Sequence, residues 1–401
     1  MLLPSDHSSC KVPDNLPVTE FVPPPGEQAR ITCSHQVVTG VDKLKVSLWL
    51  DWSNNRVFDR LAVHKKGLQD SSHNTAPFDF SGSEFSDNFV LHRTGTTKFS
   101  YRLTSADITI LLSSRSGKSS LHNTQIEIGS LNCQVDAQAV YSQLLKMFAR
   151  LGAVRLKEIV SEIHLAADLL GVKIQDTGFG DDQKWITRAD HFATFHYRNR
   201  LSGITIGHGP IMFRAYDKIL EMKTKRETAK EQFFAEKWGV DIKKTPVTRC
   251  EFQLRREVLK QFDIPVSSVS EIFTNLQALW IYCTSEWTRL SASPVDRKNK
   301  NQAHAKLSEY WDLVQTVFFS TCEKIATRVR QICVKNVGAL GQQFRGLAMS
   351  IVASHGVKGT NIQDVIHWAK RTIEEELFIY HRHDPVAFAR KIQVRFNECY
   401  G

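Results

Sequence analysis

Between about residue 30 and residue 260 the apolar side chains recur at every second position; after Asp263-Ile264-Pro265 they recur at every third or fourth. The first period is that of strands with one buried face, and the second that of amphipathic helices. KLKVSLWLDW, DNFVLHR, FSYRLTS, ADITILLSS, NTQIEIGSLNC, VRLKEIVSEIHLAAD, GITIGHG, PIMFRAYDK and VTRCEFQLRRE read as strands. DAQAVYSQLLKMFARLG reads as a helix between them, with Val140, Leu144, Leu145 and Phe148 along one stripe. Strands with an interposed helix predict an α+β domain over residues 29–263.

Beyond the switch, VSSVSEIFTNLQALWIYCTSEWTRL, KLSEYWDLVQTVFFSTCEKIATRVRQICVKNV, GQQFRGLAMSIVASHG, NIQDVIHWAKRTIEEELFIYH and DPVAFARKIQVRFNEC fit helices, which predicts an α-helical C-terminal domain over 264–401. SASPVDRKNKNQAH reads as a basic, proline-broken loop. Residues 1–28, closing in Pro23-Pro24-Pro25-Gly26, read as a flexible tail. At 401 residues the chain exceeds what one compact core usually fills, consistent with two domains.

The net charge of +10 favours a polyanionic partner, most simply nucleic acid. The eight cysteines are scattered, with no zinc spacing, and read as reduced thiols of a cytoplasmic protein. The N-terminus has no basic start followed by an apolar core, and no apolar run approaches the ~20 residues that span a bilayer. No membrane association is expected.

Strand parity concentrates polar residues on single faces. Glu162, His164 and Asp168 share one; Arg249, Glu251, Gln253 and Arg255 share another; Arg214, Tyr216 and Lys218 form a third. If these faces align, a histidine, carboxylates, a phenol and several cations converge. Carboxylates and imidazole suit Mg²⁺ or Mn²⁺. A tyrosine flanked by cations suits attack on a phosphodiester, since positive charge lowers the phenol pKa from about 10. The product would be a 5′-phosphotyrosyl enzyme and a free 3′-hydroxyl. Tyr216 reads equally as a half-buried strand residue, and Glu251 beside Arg249 and Arg255 as a cross-strand ion pair.

The same segments resemble, in order, the replication initiation factor family of rolling-circle plasmids and integrative elements. Leu50-Asp51-Trp52 resembles its early Asp-Trp segment, and Glu162-Ile163-His164-Leu165-Ala166-Ala167-Asp168 its Arg-Ile-Asp-Leu-Ala-x-Asp strand. Gly203-Ile204-Thr205-Ile206-Gly207-His208-Gly209 with Arg214-Ala215-Tyr216-Asp217-Lys218 resembles its glycine-rich strand pair, and Arg249-Cys250-Glu251-Phe252-Gln253-Leu254-Arg255 its Arg-x-Glu strand. The resemblance covers roughly residues 45–260.

It implies a metal-dependent DNA-nicking and strand-joining domain on an antiparallel sheet. Tyr216 would be the nucleophile, supported by Arg214 and Lys218; Asp168, Glu251 and His164 would lie near the cation; Arg249, Arg255, His208, Tyr197 and Arg198 would contact DNA. His164 stands where the family has Asp, Glu162 where it has Arg, and His208-Gly209 where it has Ser-Arg. Tyr197, in HFATFHYRNR, is the rival nucleophile, and that stretch reads equally as a strand that stacks bases. The implied partners are a replication origin, single-stranded or supercoiled, a host helicase and a second copy of the chain. The alternative function is a non-catalytic DNA-binding regulator of a plasmid or phage with the same fold. SIVASHGVKGTNIQDVIHWAKRTIEEE fits a helix-turn-helix, but Ile366 and Trp368 read as core contacts of an ordinary helical hairpin.

Overall fold

The computed structural model describes residues 36–80, 89–296, 302–320, 325–328, 337–356 and 361–400. The 1–28 tail and the basic residues Arg297, Lys298, Lys300 and Arg330 lie outside them.

The strands are β1 (Val37–Trp52), β2 (Thr75–Phe78), β3 (Phe89–His92), β4 (Tyr101–Thr104), β5 (Ile108–Leu112), β6 (Thr124–Ile128), β7 (Ala153–Leu170), β8 (Trp185–Thr187), β9 (Phe192–Tyr197), β10 (Arg200–Ile206), β11 (Ile211–Asp217), β12 (Val247–Arg255) and β13 (Thr288–Leu290). The helices are α1 (Arg56–Gln69), α2 (Ser130–Arg150), α3 (Lys218–Lys225), α4 (Thr228–Trp238), α5 (Arg256–Leu259), α6 (Val269–Thr274), α7 (Leu276–Ile281), α8 (Glu309–Gln315), α9 (Val337–Ser354), α10 (Ile362–His383) and α11 (Pro385–Tyr400). The fold is α+β. Eleven strands form one sheet in the order β2-β3-β4-β5-β6-β1-β7-β12-β11-β10-β9, while β8 and β13 pair separately. Every neighbouring pair in the large sheet is antiparallel.

The alternation read from sequence is the pleat of this sheet. Phe213, Phe252, Leu254, Ile163 and Leu165 are fully buried on one face. Phe252 meets Trp280 edge-on at 5.3 Å, and Phe213 meets Trp311 at 5.4 Å. The core therefore continues past residue 263, because residues of α5–α8 supply the apolar layer that this face requires. α1 and α2 pack on the other half of the sheet. Helical geometry in α2 breaks at Asp136 (φ −165°, ψ 91°), whose side chain accepts a hydrogen bond from Ala139 N at 2.9 Å. That cap is where the sequence pattern starts the helix.

Three elements differ from the expectation. NTQIEIGSLNC leaves the sheet at Ile128, and Asp107 takes up the free Asn132 N–H at 2.8 Å as α2 begins. VSSVSEIFTNLQALWIYCTSEWTRL runs through α6, α7 and a π-helical turn into β13. Of residues 306–328, the described ones are helical only over Glu309–Gln315. After Gln315 the side chain of Gln277 captures the backbone, accepting from Phe319 N at 2.7 Å and donating to Val317 O at 3.1 Å. Its amide satisfies groups that a continuing helix would have used.

α10 packs on both α9 and α11. His355 stacks on Trp368 at 5.1 Å, whereas Ile366 is exposed rather than a core contact. Among the described residues no helix is long and apolar enough to cross a membrane. Trp311 has no exposed surface; Trp311→Ala is expected to lower unfolding free energy by about 3–5 kcal/mol in chemical denaturation, because the cavity it leaves opens under the sheet.

Candidate active site

Register aligns the three polar faces. Tyr216 pairs with Arg249, which pairs with Asp168; Arg214 pairs with Glu251, which pairs with Ala166; Gln253 pairs with His164. Directly paired residues of antiparallel strands project to the same side. Arg214, Tyr216, Arg249, Glu251, His164, Asp168 and Glu162 thus share the sheet face opposite the aromatic core. β11 ends at Asp217, whose side chain caps α3 by accepting from Leu220 N at 2.9 Å. Lys218 is therefore the first residue of a helix and not a strand residue. It remains beside the phenol, with its ammonium 5.7 Å from the Tyr216 ring centroid.

Two buried ionic centres organise the face. In the first, Arg249 has no exposed surface and grips Asp168 with two hydrogen bonds, Nε to Oδ1 at 2.6 Å and Nη2 to Oδ2 at 2.7 Å. It also reaches Asp42 on β1 and lies 4.7 Å from the Phe234 ring. Trp238 Nε1 donates to Asp168 Oδ2 at 3.0 Å. The second is Glu251, also buried. Its Oε1 faces His164 Nδ1 at 2.6 Å and accepts from Arg214 Nη2, and its Oε2 accepts from the Tyr216 hydroxyl at 2.9 Å. The other imidazole nitrogen, Nε2, faces Glu162 Oε1 at 2.8 Å.

An imidazole between two carboxylates is held as a cation. Burial opposes that charge, but the hydrogen bonds to Glu162 and Glu251 outweigh it and raise the His164 pKa. Burial likewise opposes the carboxylates, yet the His164 hydrogen bond and the surrounding cations bring Glu162 down to about 2 and hold Glu251 well below the usual range. Burial, then the Glu251 charge, pushes the Tyr216 phenol well above its ordinary value. The expected lowering by flanking cations is overturned, because the phenol is buried and its hydrogen-bond partner is a carboxylate. Burial and the charge of Arg249 make the Lys218 ammonium more acidic than usual.

The expected metal donors do not fit a divalent ion in this arrangement. Both Asp168 oxygens are taken by Arg249 and Trp238, Glu251 is occupied by Arg214, His164 and Tyr216, and both His164 nitrogens face acceptors. Among the described residues no group of three His, Cys, Asp or Glu side chains is placed to hold a metal.

Tyr216, Arg214, Lys218, Glu251 and His164 line one cleft of about 1060 Å³, which Phe195 and Tyr197 of β9 border. Several of its cations are already paired: Lys43 with Glu127 at 2.8 Å, Lys218 with Glu221 at 2.9 Å and Lys230 with Glu227 at 2.8 Å. Three expected DNA contacts lie elsewhere. Arg249 is sealed under α4 by its ion pairs. His208 sits on the exposed β10–β11 turn, ~17 Å along the strand from Tyr216. Arg255 is two rows beyond Glu251, near Glu162 at 3.6 Å. Tyr197 and Arg198 are exposed at the β9–β10 hairpin. Asp42, Phe234 and Trp238 escape sequence reading; two local signals mark the covering helices, Asp217 as a cap before α3 and Gly239, at φ 63°, after α4.

No family model matches the chain, and no curated protein matches it in sequence. Among solved structures it is similar to the rolling circle replication initiator protein from Geobacillus stearothermophilus, with a TM-score of 0.36 and 14% identity over 71% of this chain and 99% of that one. A likeness at this level is too remote to carry a functional argument.

Two measurements check the site. Calorimetric titration of the DNA-free protein with Mn²⁺ is expected to show no saturable binding at tens of micromolar, whereas a one-to-one isotherm lost in Glu251→Gln contradicts the ion-pair arrangement. The stabilisation that His164 provides is complete below its unfolded pKa of about 6.5 and fades as pH rises through its higher folded value. The stability gap between wild type and His164→Gln is therefore expected to narrow from pH 6 to pH 9; a gap that widens would show His164 to be neutral.

Proposed function

We propose that the cleft takes single-stranded DNA and that the chain is a strand-nicking and strand-joining initiator of rolling-circle replication or conjugative transfer, with Tyr216 as nucleophile. The observation that carries this reading is the Tyr216 hydroxyl, which donates to a buried carboxylate at the wall of a cleft large enough for a nucleotide. In the step proposed, Tyr216 Oη attacks phosphorus and its proton passes to Glu251 Oε2. The P–O3′ bond breaks, the 5′-phosphotyrosyl bond forms, and the departing 3′ oxygen takes a proton from Lys218, whose lowered pKa suits donation.

Arg214 has the role of steadying the phosphate. Its Nε has no hydrogen-bond partner among the described residues, and a phosphate oxygen supplies an acceptor. A phosphate arriving beside Arg214 competes with Glu251 for its charge. Glu251 then becomes a better proton acceptor at the moment the phenol must lose its proton. The reaction is reversible through the same groups, which is what strand joining requires.

A second reading, a DNA-binding regulator without cleavage, is favoured by the raised phenol pKa. Incubation with origin-bearing supercoiled DNA, with Mg²⁺ or Mn²⁺ supplied, separates the two. The nicking reading expects nicked circles with protein attached, loss of the adduct in Tyr216→Phe, and a drop of roughly 10²–10⁴-fold in rate for Glu251→Gln. An adduct that survives Tyr216→Phe removes Tyr216 from the role, and binding without any adduct favours the regulator.

A further inference from the structure

Gly203 lies in the middle of β10, where glycine weakens a strand and often marks the close approach of a ligand. Its φ is outside the left-handed region, so backbone conformation does not demand glycine. Its neighbours supply another reason. Gly203 pairs with Tyr216 on one side and with Phe195 on the other, so the three occupy one cross-strand row and one face. Two aromatic rings thus flank a position with no side chain. Two strand spacings separate them at the backbone by about 9.5 Å. A flat ring in van der Waals contact with both sides needs about 7 Å.

The geometry points to a slot between Phe195 and Tyr216, floored by Gly203, that takes one unpaired nucleobase of a single-stranded DNA beside the Tyr216 hydroxyl. This deepens the nicking reading and rests on its assumption that the cleft takes single-stranded DNA. Phe195 is 54% exposed and makes no ring contact among the described residues, an unusual state for a phenylalanine at the edge of a sheet. The cleft includes Phe195, Gly203 and Tyr216 in its wall. Tyr197, at the same parity as Phe195, continues the aromatic surface, with Arg198 5.4 Å from its ring. The hairpin that presents them turns through Arg198 (φ 47°) and Asn199 (φ 62°), a two-residue geometry that matches strand twist.

Arg198 and Arg200 are exposed at the hairpin and form no ion pair with a carboxylate among the described residues. They supply the positive charge that follows a phosphate backbone, while the rings supply stacking that any base satisfies. A base seated in the slot fixes the adjoining phosphodiester against Tyr216. Phe195 is therefore a positioning residue and Gly203 the gap that lets it act.

The test compares two fluorescein-labelled oligomers of equal length and charge, a mixed-sequence single-stranded oligodeoxynucleotide and an abasic deoxyribose-phosphate strand, by anisotropy titration of the full chain. Wild type is expected to prefer the strand with bases. Phe195→Ala is expected to weaken that strand roughly five- to a hundredfold, with the abasic strand unaffected and Phe195→Trp restoring the preference. Gly203→Leu, which fills the slot, should show the same loss. An added Cβ there meets Ala215 O and Tyr216 Cβ at 3.3 Å, so thermal melting of Gly203→Leu accompanies the titration, and if it does not fold the exposed Phe195 decides. Equal binding of both strands by wild type, or unchanged binding by Phe195→Ala, overturns the slot. A wild type that prefers bases yet forms no adduct on origin DNA sinks the nicking reading and leaves the slot standing. Adduct formation with Phe195→Ala binding unchanged does the reverse.

Discussion

The guanidinium of Arg249 is a full charge with no exposed surface, and the polar face of the sheet is arranged around it. An isolated buried charge is prohibitively unfavourable, so its partners must be in place for the fold to exist. They come from far along the chain: Asp168 on β7, Asp42 on β1, and the rings of Phe234 and the indole of Trp238 on α4. The pairing joins three strands to the helix that covers them. It also sets Tyr216, the direct cross-strand neighbour of Arg249, at the edge of that cover and in the open cleft.

One row along the sheet, Glu251 plays the corresponding part in the proposed chemistry. Ala166, opposite it, is small enough to leave the carboxylate room for His164, Arg214 and Tyr216 together. This resting arrangement keeps the phenol protonated. In the proposed reaction a nucleophile so restrained would be activated when a phosphate draws Arg214 away from Glu251. The pKa direction that argues against a free phenolate is thus compatible with a tyrosine that reacts when DNA is bound.

Much of the fold and part of the site were legible in sequence because both rest on period-two alternation. Parity alone groups 162, 164 and 168, and 249, 251, 253 and 255, and the strand register then places those groups on one face. What alternation cannot supply is partners. Asp42 lies 207 positions from Arg249, and only tertiary structure brings them together. Parity also carries Lys218 one residue too far, since Asp217 caps a helix there. The long helical reading after Lys306 fails for a similar reason: Trp311 and Val314 serve the apolar face of the sheet, and Gln277 then takes the backbone out of the helix. Gly203 gives only a single-residue signal, and its meaning depends on knowing that Phe195 and Tyr216 stand on either side.

In the proposed reaction the cleft tyrosine, and not the hairpin tyrosine, forms the bond to DNA. Trypsin cuts after Arg214 and Lys218, so Tyr216 lies alone in the peptide Ala215–Lys218, while Tyr197 falls in a separate peptide ending at Arg198. Mass spectrometry of the nuclease-trimmed, trypsin-digested adduct should find the nucleotide remnant on the peptide that contains Tyr216. A remnant on the Tyr197 peptide would contradict the account.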